Sequence, residues 1–267
     1  MQVLVRYLCV LILMSFAANV SFAGSFKVFP LKLNLNKSNK TTLFKITNTG
    51  DSEVTVQLET AKWWQNEDGE DQYDKTNDIV YFPKIVKVEA GQQRIIRIGY
   101  RGKEPSNDPA NSIEQTYRIF AQELPELGEQ NSALKFSLRF SVPIFVYSPS
   151  STPKANVTSA KLDNGHLKVF VHNEGQKHFV VKSINAKGRS QDGEQMFSAK
   201  SGGWYVLPNV TKPFSVALPE NECRQSSNIS FKVDTTVGEQ LNKLDINTGN
   251  CVVVVSDDKA NALTFSD

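Results

Sequence analysis

The sequence predicts an all-β protein made of two tandem immunoglobulin-like β-sandwich domains. Apolar and polar residues alternate in many short runs, which is the pattern of strands with one buried face. Turn-forming residues separate these runs at regular intervals, as in sandwich proteins. A proline- and serine-rich break, Ser148 to Pro153, divides the runs into two groups.

The N-terminal segment is typical of a secretory signal peptide. Met1 to Ala23 contains one basic residue, Arg6, no acidic residue, and an apolar run followed by small residues. The run is shorter than the roughly 20 apolar residues that a membrane span requires. We therefore expect an exported protein that begins near Gly24 and has no stable membrane insertion.

The remaining 244 residues suit two domains of ordinary size. The predicted boundaries are 1–23 for the signal peptide, 24–148 for the first domain, 149–153 for the linker and 154–267 for the second domain. Without the signal peptide the chain has 29 basic and 28 acidic residues. This balance argues against a general nucleic-acid binder, which would carry a basic excess.

The first domain is predicted to contain about seven strands. Pro30 places the first strand at a sheet edge or at a switch between sheets, because proline has no N–H for a ladder. Gln65 to Asp78 is polar and acidic and is predicted to be a surface loop. Trp63 ends a strand, where tryptophan is more often a core residue than part of a ligand site. The predicted strands are Phe29 to Leu35, Leu43 to Asn48, Val54 to Leu58, Ile79 to Phe82, Arg94 to Tyr100, Thr116 to Leu124 and Leu134 to Tyr147.

The second domain is predicted to contain further short strands, beginning with a hairpin signalled by Asp163-Asn164-Gly165. The last run, Cys251 to Val255, is apolar throughout and should be a central strand. Cys223 and Cys251 are the two cysteines left after the signal peptide, and an even pair in an oxidising compartment predicts a disulfide bond. The other predicted strands are Leu167 to Val171, Phe179 to Ile184, Trp204 to Leu207, Phe214 to Leu218 and Ile229 to Val233.

The run Leu134 to Tyr147 is unusually long for a strand, since ordinary strands have about five or six residues. Two interpretations remain open at this point: the run covers its own core, or part of its apolar face is offered to another protein. The alternating apolar residues of that face are Leu134, Phe136, Leu138, Phe140, Val142, Ile144 and Val146.

No enzymatic or metal chemistry is recognisable. The three histidines, His166, His172 and His178, are spaced by six residues, which is roughly 20 Å along one strand. A turn could bring His172 near His178, but no third ligand is evident. There is no nucleophile triad, phosphate-binding glycine loop or reactive thiol motif. We therefore expect no enzyme, no cofactor and no metal.

The run from Glu114 to Pro125, EQTYRIFAQELP, resembles the strand-F motif of the PapD-like periplasmic chaperones of the chaperone–usher pathway. The branch that assembles archaic or spore-coat-type pili is the most similar. The resemblance covers roughly Phe26 to Pro149. Other motifs match in chain order: the turn Thr47 to Gly50, Trp63 or Trp64, the acidic loop around Gly69, Asp78 to Val80 with Pro83, Arg97, and Val142 to Val146.

The resemblance implies a chaperone that binds, folds and caps pilus or fimbrial subunits and delivers them to an outer-membrane usher, without ATP. In that family, strand G lends alternating apolar side chains to a subunit that lacks its last strand, which is donor-strand complementation. The free protein would then self-associate through this strand or fold the loop Glu126 to Ser132 over it. The implied donor residues are Leu134, Phe136, Leu138, Phe140 and Val142.

The family also holds the C-terminal carboxylate of the subunit with two basic residues, one on the first strand and one on strand G. By position the candidates are Lys32 and Arg139, and the strand-G alignment leaves Lys135 open. A lysine cannot hold a carboxylate in the bidentate geometry available to arginine.

The alternative function is a structural pilus or coat subunit with immunoglobulin-like domains. Such a subunit usually has one incomplete sandwich and a donor extension at its mature N-terminus. Here two domains are predicted, and only about five residues separate the predicted cleavage site from the first strand.

Overall fold

The computed structural model describes residues 26–106, 108, 112–124 and 137–251. These residues form two tandem immunoglobulin-like β-sandwiches, so the predicted fold class is confirmed. The predicted signal peptide, the loop Glu126 to Ser132, Leu134, Lys135 and Phe136 lie outside the described residues.

The first domain packs two sheets face to face. One sheet has the order β1-β3-β8-β6, and the other has the order β2-β10-β9-β4-β5 with β7 beside β4. The strands are β1 (Phe26–Phe29), β2 (Leu33–Leu35), β3 (Thr41–Asn48), β4 (Val54–Gln65), β5 (Asp71–Lys75), β6 (Ile79–Phe82), β7 (Ile85–Val88), β8 (Gln93–Tyr100), β9 (Gln115–Leu124) and β10 (Arg139–Val146).

The chain changes sheets at Pro30, one of the two alternatives that the sequence predicted. Strand β1 pairs antiparallel with β3, while β2 pairs parallel with β10, with Leu33 opposite Ile144. Proline suits this position because a residue between two ladders needs no N–H donor. Leu33 and Leu35 then project into the core of the sandwich, where they are fully buried.

The predicted surface loop Gln65 to Asp78 is wrong in part, because Asp71–Lys75 forms β5. This strand pairs antiparallel with β4, with Trp63 opposite Tyr73. The turn of the hairpin includes Gly69, whose φ of 73° suits glycine. The side chains of β5 are exposed or half-buried, so the alternation that indicates a strand is missing from the sequence.

The second domain packs the sheet β11-β12-β16 against the sheet β14-β13-β17-β18, with β15 beside β13. No helix among the described residues is long and apolar enough to cross a membrane. The elements are β11 (Ala155–Asp163), β12 (His166–Asn173), β13 (Phe179–Arg189), β14 (Gln195–Gly202), β15 (Tyr205–Val206), β16 (Thr211–Ala217), α1 (Glu220–Arg224), β17 (Asn228–Thr235), β18 (Gly238–Asp245) and the 3₁₀ helix Thr248–Cys251.

The predicted central strand Cys251 to Val255 is wrong at its first residue, because Cys251 ends the 3₁₀ helix. Residues 252–255 lie outside the described part of the chain. Strand β18 was not predicted; it lies at the end of its sheet, and its Leu241 is 79% exposed. A strand with one sheet neighbour and few buried side chains lacks the apolar periodicity on which sequence prediction depends.

The predicted disulfide bond between Cys223 and Cys251 is confirmed, and both residues are fully buried. It joins α1 to the 3₁₀ helix rather than a loop to a strand. The bond closes a sequence separation of 28 residues. Such a crosslink stabilises a small domain by about 2–4 kcal/mol, chiefly by restricting the unfolded chain.

The two domains meet through a buried aromatic cluster and polar contacts. Trp63 and Phe145 of the first domain pack with Leu207 of the second. The side chain of Gln65 donates to the carbonyl oxygen of Tyr205 at 3.0 Å and accepts from the N–H of Leu207 at 3.0 Å. These contacts hold the outer face of the β9 sheet against the loop that precedes β16.

A second polar contact of the junction involves His178, one of the three histidines for which the sequence predicted no metal site. The Glu114 carboxylate accepts from the His178 N–H at 2.9 Å and lies 2.7 Å from His178 Nδ1. The imidazole ring stacks on Phe145 with 3.6 Å between ring centroids. His178 is thus part of the domain junction.

Candidate functional site

The outer face of the β9 sheet carries the candidate site. Along β9, Tyr117, Ile119 and Ala121 are buried in the core of the sandwich. The intervening residues Thr116, Arg118, Phe120 and Gln122 therefore lie on the outer face, as strand geometry requires. Register places Arg118 between Ala61 on β4 and Pro143 on β10.

Arg118 lies in an aromatic cage at the domain junction. Its side chain is almost fully buried, with a residue exposure of 3%. The guanidinium carbon is 3.8 Å from the ring centroid of Trp63 and 5.6 Å from the rings of Trp204 and Tyr205. The electron-rich faces of such rings attract a cation, so the cage favours the charged guanidinium.

The hydrogen-bonding capacity of Arg118 is largely unused within the described residues. Nη1 donates to the carbonyl oxygen of Ser141 at 3.3 Å, while the buried Nε and Nη2 have no partner. Burial lowers the pKa of Arg118, and Tyr73, Asp71 and Tyr205 partly oppose this shift. Arginine nevertheless stays charged in proteins. A buried cation with unused donors is costly unless an anion binds it.

The nearby acidic residue Asp71 is engaged elsewhere. Its Oδ1 accepts from Gln65 Nε2 at 2.9 Å and its Oδ2 accepts from Trp204 Nε1 at 2.8 Å. Asp71 therefore contributes longer-range attraction to Arg118 without occupying its donors. The arrangement leaves a charged, buried guanidinium that can donate two parallel hydrogen bonds to an external carboxylate.

The predicted anchors Lys32 and Arg139 lie at different levels of the sheet. Lys32 is exposed and immediately precedes Leu33, which lies opposite Ile144. Arg139 lies five residues before Ile144, about 16 Å along an extended strand. Its guanidinium carbon packs 4.3 Å from the ring centroid of Phe120. Their sharing of one carboxylate stays a prediction, and the register does not favour it.

Lys32 is instead level with Arg118. Continuing the β2–β10 register by one residue places Lys32 beside Pro143, and Pro143 lies opposite Arg118 on β9. Two strand spacings separate their backbones by about 10 Å. The sequence prediction included Arg118 in the motif of strand F but did not select it as a site residue. The available signal was an arginine at an outward position, two residues from Phe120, in a largely apolar strand.

Strand β10 has an open edge next to this site. All of β10 pairs with β9, but β2 covers only Ile144, Phe145 and Val146. Residues 139–143 therefore have no partner strand on that side within the described part of the chain. Unpaired N–H and C=O groups at such an edge are a template for an added strand.

The predicted donor residues of β10 differ in burial. Val142 is 3% exposed and belongs to the core of its own domain. Leu138 and Phe140 are half-buried against the rim of that core, and the rings of Phe140 and Phe26 lie 5.0 Å apart. The N-terminal half of β10, where the edge is open, is thus the part of the strand with accessible apolar surface.

The histidines have separate local partners. His166 Nδ1 lies 2.8 Å from the carbonyl oxygen of Asn164, and His172 Nδ1 lies 2.9 Å from Thr211 Oγ1. The described residues contain no cluster of ligating side chains that could hold a metal ion.

Fold and site define a two-domain immunoglobulin-like protein with an open-edged strand beside a buried arginine, whose Nε and Nη2 have no partner within the described residues. Residues 25–153 match the family model described as the N-terminal domain of PapD, a pili and flagellar-assembly chaperone. The first domain belongs to this family, whose model ends at residue 153, where the second domain begins. No curated protein sequence matches significantly.

Solved structures of low sequence identity share the fold over most of both chains. One is the CsuC–CsuE chaperone–tip adhesion subunit pre-assembly complex from archaic chaperone-usher Csu pili of Acinetobacter baumannii, with 22% identity, coverage of 82% of this chain and 98% of that chain, and a TM-score of 0.57. The CupB2 chaperone of Pseudomonas aeruginosa has 14% identity, coverage of 83% and 100%, and a TM-score of 0.51. The Salmonella enterica SafA pilin in complex with the SafB chaperone gives 15% identity, coverage of 85% and 99%, and a TM-score of 0.50. The assignment to the archaic branch stays a prediction.

We predict that Arg118 lowers the stability of the free protein. In Arg118→Met a chain of similar length fills the cage without a buried charge, so we expect an unfolding free energy equal to wild type or about 1–2 kcal/mol higher. Denaturant unfolding would measure it. The matched control is Ile119→Ala on the core face of the same strand, which should lose about 2–5 kcal/mol. A comparable loss in Arg118→Met would mean that Arg118 is a structural residue.

Proposed function

We propose that this protein is a periplasmic chaperone that binds, folds and caps pilus or fimbrial subunits by donor-strand complementation and delivers them to an outer-membrane usher. The observation that carries the proposal is the edge of β10 at residues 139–143, which has no partner strand among the described residues, beside the Nε and Nη2 of Arg118, which have no partner there either. A segment 1–23 with the pattern of a signal peptide is consistent with export to the periplasm.

The open edge supports donor-strand complementation. A strand of the subunit would pair its backbone with residues 139–143. The side chains of Leu138 and Phe140 would then enter the apolar groove of the subunit. Leu134 and Phe136, outside the described residues, would extend this row if the strand continues. Each apolar side chain that becomes buried contributes about 1.5–3 kcal/mol.

We propose Arg118 as the principal anchor for the subunit's C-terminal carboxylate. Its unpaired Nε and Nη2 can donate two parallel hydrogen bonds to one carboxylate. Lys32, on the same row of the sheet, would supply a second positive charge. Arg139 would lie farther along β10, where it can contact the subunit without sharing the terminal carboxylate.

Delivery to an usher requires a surface that stays accessible while the subunit occupies β10. The outer face of the β1-β3-β8-β6 sheet has this property, because it lies on the opposite side of the sandwich. It exposes Phe29, Leu43, Phe82 and Ile95, and apolar side chains grouped on one face indicate a protein contact. Release by strand exchange would need no ATP. We propose that the usher binds this face, which could also support self-association of the free protein.

The alternative, a structural pilus or coat subunit, is less well supported. The matching family is a chaperone family, and the first domain is a sandwich that retains its own strand β10. A subunit that polymerises by strand exchange would need a groove left by a missing strand.

The carboxylate anchor is tested by Arg118→Gln, which keeps a polar side chain but removes the charge and the bidentate geometry. Because charge-assisted hydrogen bonds are worth about 1.5–3 kcal/mol, we expect affinity for a co-expressed subunit to fall at least about tenfold. Co-purification yield followed by calorimetry measures the loss. Arg139→Gln, the same change at an exposed position, should retain more subunit. Wild-type affinity in Arg118→Gln would reject this anchor.

The donor strand is tested by Leu138→Glu. Leu138 is half-buried, so we expect the variant to stay folded but to lose subunit, because a charge would enter an apolar groove at a cost of several kcal/mol. Thermal melts and a subunit pull-down provide the two readouts. Val142→Glu is the control, since a charge in the core should unfold the first domain. If Leu138→Glu melts as early as Val142→Glu, the strand only covers its own core.

A further inference from the structure

We propose that the side chain of Trp204 is a lid over Arg118, latched by Asp71, which must turn away before a carboxylate reaches the guanidinium. The inference rests on the proposed function for its ligand, and it adds a moving part that controls access. It follows from three sets of contacts around the cage.

The first set of contacts shows which ring covers the Arg118 guanidinium. Of the three aromatic rings around the Arg118 guanidinium, Trp63 is 1% exposed and Tyr205 is half-buried, whereas Trp204 is 42% exposed. The Trp204 ring lies 5.6 Å from the guanidinium carbon, and Arg118 is itself 3% exposed. A ring that touches a buried group on one side and solvent on the other is the outermost layer above that group. Trp204 is therefore the ring whose removal would open the cage to solvent.

The second set is the latch. Trp204 Nε1 donates to Asp71 Oδ2 at 2.8 Å. The other carboxylate oxygen of Asp71 is held by Gln65 Nε2, and Gln65 Oε1 accepts from the Leu207 N–H. Asp71 is thus fixed by the domain junction and can hold the indole in place. The same bonds keep the Asp71 carboxylate from neutralising Arg118, so the closed lid preserves an unpaired cation beneath it.

The third set shows which part can move. The carbonyl oxygen of Trp204 accepts from the Val181 N–H at 3.0 Å. Gly203 is packed so closely that a Cβ there would lie 1.7 Å from the Val181 carbonyl oxygen. The main chain at the lid is therefore fixed against β13. Opening requires rotation of the Trp204 side chain, which breaks its exposed hydrogen bond to Asp71, replaceable by water, and its edge-on contact with the Tyr205 ring at 5.7 Å between centroids.

The lid would make the anchor selective. While it is closed, small anions in the periplasm have little access to Arg118. A subunit bound along β10 brings its terminal carboxylate to the cage at high local concentration, where it can compete with the latch.

Chemical modification of Arg118 tests the lid without any subunit. Phenylglyoxal would be reacted with the purified full-length protein, and the modified arginines would be followed by peptide mass spectrometry. We expect Trp204→Ala to raise the modification rate of Arg118 by about tenfold. A factor of this size corresponds to the net free energy of the single hydrogen bond that holds the Trp204 ring over Arg118. Trp204→Phe, which keeps most of the ring but loses the N–H, should give a smaller rise and covers the case in which Trp204→Ala folds poorly.

Trp64→Ala is the matched control. Trp64 is 41% exposed and donates to Asp74 at 2.8 Å, which reproduces the exposure and the hydrogen bond of Trp204 on the adjacent strand β4. It should leave the rate at Arg118 unchanged. Arg139, exposed on the same sheet, serves as an internal standard whose rate should be the same in every variant.

Equal rates at Arg118 in wild type, Trp204→Ala and Trp204→Phe would overturn the lid. A higher modification rate at Arg118 in Trp204→Ala, with no change in Trp204→Phe, would show that the hydrogen bond to Asp71 does not hold the ring in place. Trp204 would then protect Arg118 by steric cover alone. Failure of the proposed function has a different signature, since subunit affinity would then survive in Arg118→Gln whatever the modification rates. The two failures are therefore distinguishable.

Discussion

A charged guanidinium packed on an indole ring, Arg118 on Trp63, lies where the two domains meet. Trp63 is also part of the cluster that joins Phe145 to Leu207, so the same ring supports both the cation and the junction. The position of Arg118 follows from the strand period: it is on the outer face because Tyr117 and Ile119 are on the inner one. The arrangement of the second domain then determines how much of this cation is covered.

The domain junction buries polar atoms without the hydrogen-bond partners that a purely structural interface would provide. Five buried side-chain atoms lack a hydrogen-bond partner among the described residues, and four of them belong to Trp63, Glu114 and Arg118. Buried polar groups are normally paired, and exceptions concentrate at functional sites, where stability is given up for binding. Stability elsewhere comes from the two cores and from the disulfide bond, which lies far along the chain from this junction.

Several features of the fold could be predicted from sequence for identifiable physical reasons. Alternation predicted the sandwich strands, the missing N–H of Pro30 indicated the switch between sheets, and an even cysteine pair indicated the disulfide bond. Strands β5, β7, β14 and β18 were not predicted. In β5 and β18 all side chains are exposed or half-buried, which removes the apolar period.

The candidate site was predictable only in part. The apolar face of β10 and the strand-F motif were visible in the sequence, and both lie on the sheet that carries the proposed site. The choice of Arg118 as the proposed anchor depends on sheet register, burial and the approach of Trp204 from the second domain, which are tertiary properties. Lys32 was chosen by position along the chain, and it immediately precedes Leu33, which pairs with Ile144, one residue from the Pro143–Arg118 pair.

We propose above all that Arg118 binds the terminal carboxylate of a partner polypeptide. The most direct measurement is a double-mutant cycle that compares a subunit ending in a free carboxylate with the same subunit ending in an amide, each bound to wild-type protein and to Arg118→Gln. We expect amidation to weaken binding to wild type by about tenfold or more and to have little further effect on binding to Arg118→Gln. Equal losses on both backgrounds would show that the carboxylate binds elsewhere, and they would contradict the account.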